Sequence, residues 1–346
     1  MSPAFSEQLL VWFDRHGRKD LPWQRDRDPY RIWISEIMLQ QTRVDTVIPY
    51  YEKFIHRFSD IEKLAVADID EVLHYWTGLG YYARARNMHK AARELCRRSQ
   101  GKFPEDIDAM TALPGIGRST AAAVLALSFG KRHAILDGNV KRVLTRYFEV
   151  EGWPGKAKVE KQLWESAESL LPDDRMADYT QALMDLGATL CTRVRPDCRQ
   201  CPVQGNCIAF KKCRQHELPA PRPTRDLPRR NVHVALIRNK ENAVWLERRP
   251  STGIWGGLYS FPEFEKEADL QKWLTDTCKM DNLTVRMLPV ITHTFSHFRL
   301  HMHPTVVLME NNPIGVMEDD DGVWYKAIGE KIGLAAPVRK ALLQVI

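Results

Sequence analysis

Four cysteines, Cys191, Cys198, Cys201 and Cys207, are separated by six, two and five residues within an otherwise polar and basic stretch. Thiolates this crowded read as metal ligands, because the N-terminus has neither the basic start nor the apolar core of a signal peptide. Four sulfurs in a ring suit a [4Fe–4S] cluster. Zinc is the alternative, although its sites commonly show two C-x2-C pairs, and here only Cys198 and Cys201 form one. Two carboxylates offer a second chemistry. Glu36 lies in the apolar helical run Trp33-Ile-Ser-Glu-Ile-Met-Leu39, where burial would raise its pKa towards that of a general acid at neutral pH. Asp137 follows Ala134-Ile-Leu and precedes Gly138. Cleavage of a glycosidic bond uses two such groups in unlike surroundings, one giving a proton and one staying ionised below the sugar. On spacing alone, Asp137 reads as a helix N-cap and Glu36 as a charge on a helix surface.

A third motif is Leu113-Pro-Gly-Ile-Gly117, followed by Arg118-Ser119-Thr120. Its glycines permit a tight turn whose N–H groups point outward at a helix N-terminus, a ready anion site. The bland reading is a plain helix–turn–helix connection. Charge placement bears on the choice. The chain carries a net charge of +6, yet residues 191–230 hold ten Lys or Arg against three Asp or Glu. A basic block around a metal loop is a footprint for phosphate, or else a solubilising linker.

The elements that must position these residues follow from pattern. Helical periodicity predicts helices near 4–16, from Asp28-Pro29 onward, and near 44–57, 68–76, 84–98, 118–128, 139–148, 157–170 and 175–190. This makes residues 1–214 an all-α domain. Pro219, Pro221, Pro223 and Pro228 make residues 215–230 a linker, since proline lacks the donor and fixes φ. Residues 231–346 read as an α+β domain, with β-type runs at Val232–Ile237, Ala243–Glu247, 284–291 and 298–309 and a closing helix that starts at Pro337. No apolar run reaches membrane-spanning length. The sequence predicts a cytoplasmic chain whose seven cysteines are reduced or metal-bound.

Leu113-Pro-Gly-Ile-Gly117, Asp137-Gly-Asn-Val140 and the C-x6-C-x2-C-x5-C cluster, in this order and spacing, resemble the helix–hairpin–helix DNA glycosylases across roughly residues 5–213. Ser35-Glu-Ile-Met-Leu-Gln-Gln-Thr42 and Gly78-Leu-Gly-Tyr-Tyr-Ala-Arg-Ala-Arg-Asn87 look like that superfamily's adenine-removing branch. The resemblance implies a helix–hairpin–helix domain with a [4Fe–4S] loop. Its hairpin residues Leu113, Gly115, Gly117, Arg118 and Thr120 would grip DNA. It also implies that Glu36 protonates an extruded adenine, Asp137 stabilises the sugar cation, and Asn139 and Ser119 support the sugar side. Gln40, Gln41, Thr42, Leu79 and Tyr81 would fill the hole in the duplex and touch the opposing base. Members that also cut the backbone carry lysine where this chain has Ser119, so a monofunctional enzyme is implied.

Trp255-Gly-Gly-Leu-Tyr-Ser-Phe-Pro-Glu263 and its flanking strands look like a Nudix-type fold without the glutamate-rich helix that hydrolysis needs. Within the resemblance this is a binding module, and Phe295, Ser296 and His297 would recognise 8-oxoguanine. The implied substrate is duplex DNA with adenine opposite 8-oxoguanine or guanine, bound by a monomer with no membrane partner. Three other readings compete: an endonuclease III-like glycosylase/lyase, a non-enzymatic iron–sulfur DNA-binding protein, and a Nudix hydrolase with a DNA-binding appendage.

Overall fold

The computed structural model describes residues 4–223, 226–278, 284–309, 322–326 and 331–345. Helices come first in the chain: α1 (Phe5–His16), α2 (Pro29–Leu39), α3 (Val44–Arg57), α4 (Ile61–Val66), α5 (Ile69–Trp76), α6 (Ala83–Ser99), α7 (Ile107–Thr111), α8 (Arg118–Phe129), α9 (Gly138–Phe148), α10 (Ala157–Ser169), α11 (Met176–Asp185) and α12 (Ile208–Lys211). The expected helix at 175–190 widens into a π-turn over Leu186–Leu190, which the 3.6-residue pattern does not reveal. Strands follow: β1 (Arg229–Arg238), β2 (Val244–Arg248), β3 (Tyr259–Ser260), β4 (Glu263–Phe264), β5 (Thr284–Met287), β6 (Ile291–Thr294), β7 (Arg299–Leu308) and β8 (Gly322–Tyr325), with helices α13 (Glu267–Cys278) and α14 (Ala336–Leu342).

Packing divides the chain into two units, Met1–Val66 with Asn87–Thr224 and Ala67–Arg86 with Arg225–Ile346. This differs from the expected contiguous domain at 1–214 and linker at 215–230. Leu218 is buried and its carbonyl accepts a 2.9 Å bond from Arg146, which keeps the start of the proline-rich stretch on the first unit. β1 begins two residues inside the expected linker, where Arg229 and Arg230 pair in parallel with Arg299 and Leu300. Residues 67–86 join the second unit through the inner face of α5. A Cβ at Gly333 would stand 2.7 Å from that of Leu73, and Arg248 is paired with Asp70. Periodicity shows that α5 has an apolar face, but not which core that face covers.

In the first unit, the buried faces of α1, α8, α9 and α11 share one apolar core that includes Leu9, Ala122, Leu144 and Leu183. α2 packs on α8 and α3. It starts as composition predicts, with Asp28 accepting the Tyr30 N–H at 2.8 Å and Pro29 in the first turn. The second unit is built on a mixed sheet ordered β3-β2-β1-β7-β5. Its long parallel pair, β1 with β7, is flanked by antiparallel neighbours. Ala235, Ile237, Trp245 and Val307 pack on Leu270 and Leu274 of α13.

Candidate active site and metal centre

Glu36 projects from a helix whose flanking residues Ile34, Ser35, Ile37 and Met38 are all buried. Burial, with the charge of Asp137 adding to it, pushes its carboxyl up to about 8. Asp137 is the N-cap of α9 and accepts the Val140 N–H at 2.7 Å. Burial raises this carboxyl too, but the backbone N–H groups of Val140 and Asn139 and the charges of Arg142 and Lys141 pull the other way. Both influences named for Glu36 favour the neutral acid. Every group that favours an anion acts on Asp137. The structure thus brings the two carboxyls within electrostatic reach, in the unlike surroundings that acid and anion roles require.

Ser119, on the first turn of α8, holds backbone as well as offering its hydroxyl proton. Its Oγ accepts the Leu136 N–H at 2.9 Å and steadies the chain one residue before Asp137. Asn139 Oδ1 accepts from Arg142 at 2.9 Å. A Cβ at Gly187 would stand 2.7 Å from that of Asn139, so the π-turn presses closely on this asparagine.

In the hairpin, Leu113 is buried, so only the turn's backbone faces outward. Gly115 has φ 77, and a Cβ there would stand 2.6 Å from that of Asn87, so glycine is required both for angle and for room. Gly117 caps α8 with no side-chain hydrogen bond, which leaves first-turn N–H groups for an anion. Arg118 is paired with Glu168 and stacks on Trp164 at 3.9 Å. Gln40 Nε2 donates to Thr120 Oγ1 at 3.2 Å, joining the end of α2 to α8. Gln41 is exposed with φ 58, and the Thr42 hydroxyl donates to the Gln40 carbonyl at 3.3 Å.

The four cysteines line one largely apolar cavity with Val143, Leu186 and Leu190. Among the described residues, no three His, Cys, Asp or Glu side chains gather as a single metal ion would need. The donors nevertheless suit a cluster. Burial pushes the Cys201 thiol up to about 12, with Cys191, Cys207 and Cys198 adding to the rise, so a metal held here would have to draw off the proton. Val203 N–H bonds to Cys201, Phe210 and Ala209 N–H groups bond to Cys207, and Arg146 donates to Cys191 Sγ at 3.3 Å. Hydrogen bonds of this kind to sulfur characterise protein-held iron–sulfur clusters.

Sequence reasoning missed the arginines that connect the two centres. Arg142 donates to the Cys191 carbonyl at 2.7 Å and the Gly187 carbonyl at 2.7 Å, besides Asn139. Arg146, almost wholly buried, reaches the Thr192 carbonyl at 2.8 Å. Both lie on α9 behind Asp137, and their i, i+4 spacing on one helix face was the available signal.

In the second unit, Tyr81 is 55% exposed with φ 49, whereas Leu79 is only 7% exposed. Leu79 is therefore turned inward in this structure, and of the two residues of this unit among the five expected to fill the duplex, Tyr81 faces outward. Arg84 lies over the Tyr81 ring at 5.6 Å. Phe295 stacks on Phe298 at 4.5 Å and meets Trp255 at 5.4 Å. Ser296 and His297 beside it are exposed, with Ser296 Oγ 3.4 Å from His297 Nδ1.

Fold and site together define a helix–hairpin–helix base-excision enzyme. Residues 34–169 match the model of the HhH-GPD superfamily base excision DNA repair proteins, and residues 233–344 match that of the NUDIX domain. The chain is 39% identical to the adenine DNA glycosylase of Buchnera aphidicola subsp. Acyrthosiphon pisum, over 98% of this chain and 96% of that one. It is 33% identical to the human adenine DNA glycosylase, over 86% of this chain and 65% of that one. Among solved structures, a thermostable thymine-DNA glycosylase is 33% identical and covers 60% of this chain and 96% of its own, with a TM-score of 0.54. A non-covalent endonuclease III–DNA complex shares the fold at 22% identity, 60% and 94% coverage and a TM-score of 0.51. The chain belongs to the adenine DNA glycosylase family.

Proposed function

We propose that this enzyme is a monofunctional glycosylase that releases adenine mispaired with 8-oxoguanine, or with guanine, from duplex DNA. The observation that carries this reading is the asymmetry of the two carboxyls, a half-buried acid at Glu36 raised to about 8 and a helix-capping carboxylate at Asp137. A glycosidic bond inside a duplex is out of reach, so the adenine must be everted. Glu36, still protonated near neutral pH, gives its proton to the adenine ring and makes it a better leaving group. Asp137, whose carboxyl is raised by burial but drawn back towards the anion by its N–H bonds and by Arg142 and Lys141, faces the positive charge growing on the ribose and then helps water to attack. On the first unit exposed Gln41 would touch the duplex; on the second, exposed Tyr81 would occupy the vacated space, and Phe295, Ser296 and His297 would meet the opposing base. Unstacking costs a few kcal/mol on the order of, offset by the grip of the hairpin on phosphate.

The test is adenine release from duplexes carrying A opposite 8-oxoguanine, G, C and T. Release opposite 8-oxoguanine and G, leaving an unnicked abasic strand, is expected. Equal release opposite C and T sinks the specificity, and nicking without added base returns the lyase alternative. No lysine stands at the position of Ser119 to form a Schiff base. Ser119→Lys should therefore yield a borohydride-trapped protein–DNA adduct. It also gives up the bond to Leu136, at a cost of roughly 1 kcal/mol in stability. A complete lack of adduct in the folded variant would mean that the missing amine is not what keeps the enzyme from cutting the backbone.

Cys191, Cys198, Cys201 and Cys207 would hold a [4Fe–4S] cluster, whose contribution when bound is to fix the loop bearing Arg193, Arg195 and Arg199 for phosphate contact. Protein purified without air should absorb at about 410 nm. Cys201→Ser should lose that absorbance and melt several degrees lower. A colourless native protein carrying zinc would overturn the assignment.

A further inference from the structure

Tyr81 and the Phe295-Ser296-His297 segment belong to one compact unit; Tyr82 fixes the Tyr81 segment within it, and Arg86 links that segment to the corner behind Phe295. The Tyr82 hydroxyl donates to the Leu334 carbonyl at 2.8 Å. Arg86, on the first turn of α6, donates to the Gly256 carbonyl at 2.5 Å, and its Cδ lies 3.8 Å from where a Cβ would stand at Gly257. Gly256 directly follows Trp255, which is held in the left-handed region at φ 53 with its ring against Phe295. Arg86 thus holds the backbone turn that sets the Trp255 ring, and that ring backs the segment bearing Ser296.

We propose that Arg86 is a positioning residue for recognition of the base opposite adenine: its bond to the Gly256 carbonyl makes the Tyr81 segment and the Trp255–Phe295 corner a single reader. This rests on the function proposed above. Contacts made to 8-oxoguanine at residues 295–297 favour extrusion by Tyr81 only if the two segments are coupled, and coupling between sites is a shared free energy. With guanine opposite, the contacts that depend on the 8-oxo oxygen and the N7 proton are missing, and there is less to transmit.

The experiment measures single-turnover adenine release from A:8-oxoguanine and A:G duplexes by the full-length, iron-loaded enzyme, with melting temperature and extrusion followed through 2-aminopurine placed at the adenine position. Arg86→Met should slow release opposite 8-oxoguanine by about tenfold, as loss of one charge-assisted bond allows, and leave release opposite guanine within about twofold. The 2-aminopurine signal should fall only opposite 8-oxoguanine. Arg86→Lys, which keeps a donor, should recover part of the preference, and Tyr82→Phe should reduce it in the same direction. An unchanged ratio between the two duplexes in folded Arg86→Met, or an equal fall on both, overturns the proposal, because a structural staple alone has those effects. A wild-type enzyme that fails to prefer 8-oxoguanine instead removes the functional reading on which the proposal stands.

Discussion

Glu36→Gln is expected to bind mispaired duplex normally and to lose roughly 10²- to 10⁴-fold in single-turnover adenine release, the span that general acid catalysis covers. The same variant should be more stable than the wild type. An ordinary glutamate loses its proton near 4.5, whereas Glu36 keeps its proton up to about 8. A raised carboxyl pKa means that the folded state retains a proton that the unfolded chain would release. The cost to stability therefore begins near pH 4.5, grows as pH rises and levels off near pH 8. At pH 7 it amounts to about 3 kcal/mol. Glutamine carries no such cost, so the melting temperatures of the two proteins should diverge between pH 5 and pH 8. Wild-type activity should fall as pH rises through about 8, where the acid is spent. Near wild-type release by Glu36→Gln at pH 7 would take the residue out of the mechanism.

Asp137→Asn should lose activity by roughly 10³-fold, since it removes the fixed anion facing the sugar. It should hardly change stability. Asparagine is as good an N-cap as aspartate, so the bond to the Val140 N–H survives in kind while the charge goes. Asp137→Ala separates the two roles, because it loses the cap as well and should cost about 1 kcal/mol more in stability. A melting curve and a single-turnover rate on both variants check this. If Asn and Ala variants were equally active, or Asn retained most of the wild-type rate, the charge would not be the part that matters.

The residues of this site were legible where chemistry is written in local pattern. Asp28-Pro29 announces the start of α2, and Ile32, Trp33, Ile37 and Met38 show which face it buries. The cysteine spacing and the hairpin glycines stand out for the same reason, since each needs a particular residue at a particular place. Glu36 was legible only in part. Its apolar helix pointed to a raised acid, but spacing alone left it a surface charge until α8 is seen packing on α2 and its neighbours prove buried. Leu79 differs in another way: the likeness of its segment to a strand-inserting one implied an outward side chain, while the turn sends it inward. Arg142 and Arg146 were invisible as connectors because their partners are mostly backbone carbonyls 45 or more residues away, and carbonyls leave no trace in a sequence.

The insertion of residues 67–86 into the second unit bears on how the protein is made. Val72, Leu73 and Trp76 are buried in the finished molecule, yet the sheet they belong with lies more than a hundred residues downstream. On the ribosome this helix emerges well before Leu258 and Gly333, which close around Leu73, are made. A fragment stopped at Thr224 would lack those neighbours, and nascent chains of this enzyme should be more prone to clumping during that interval.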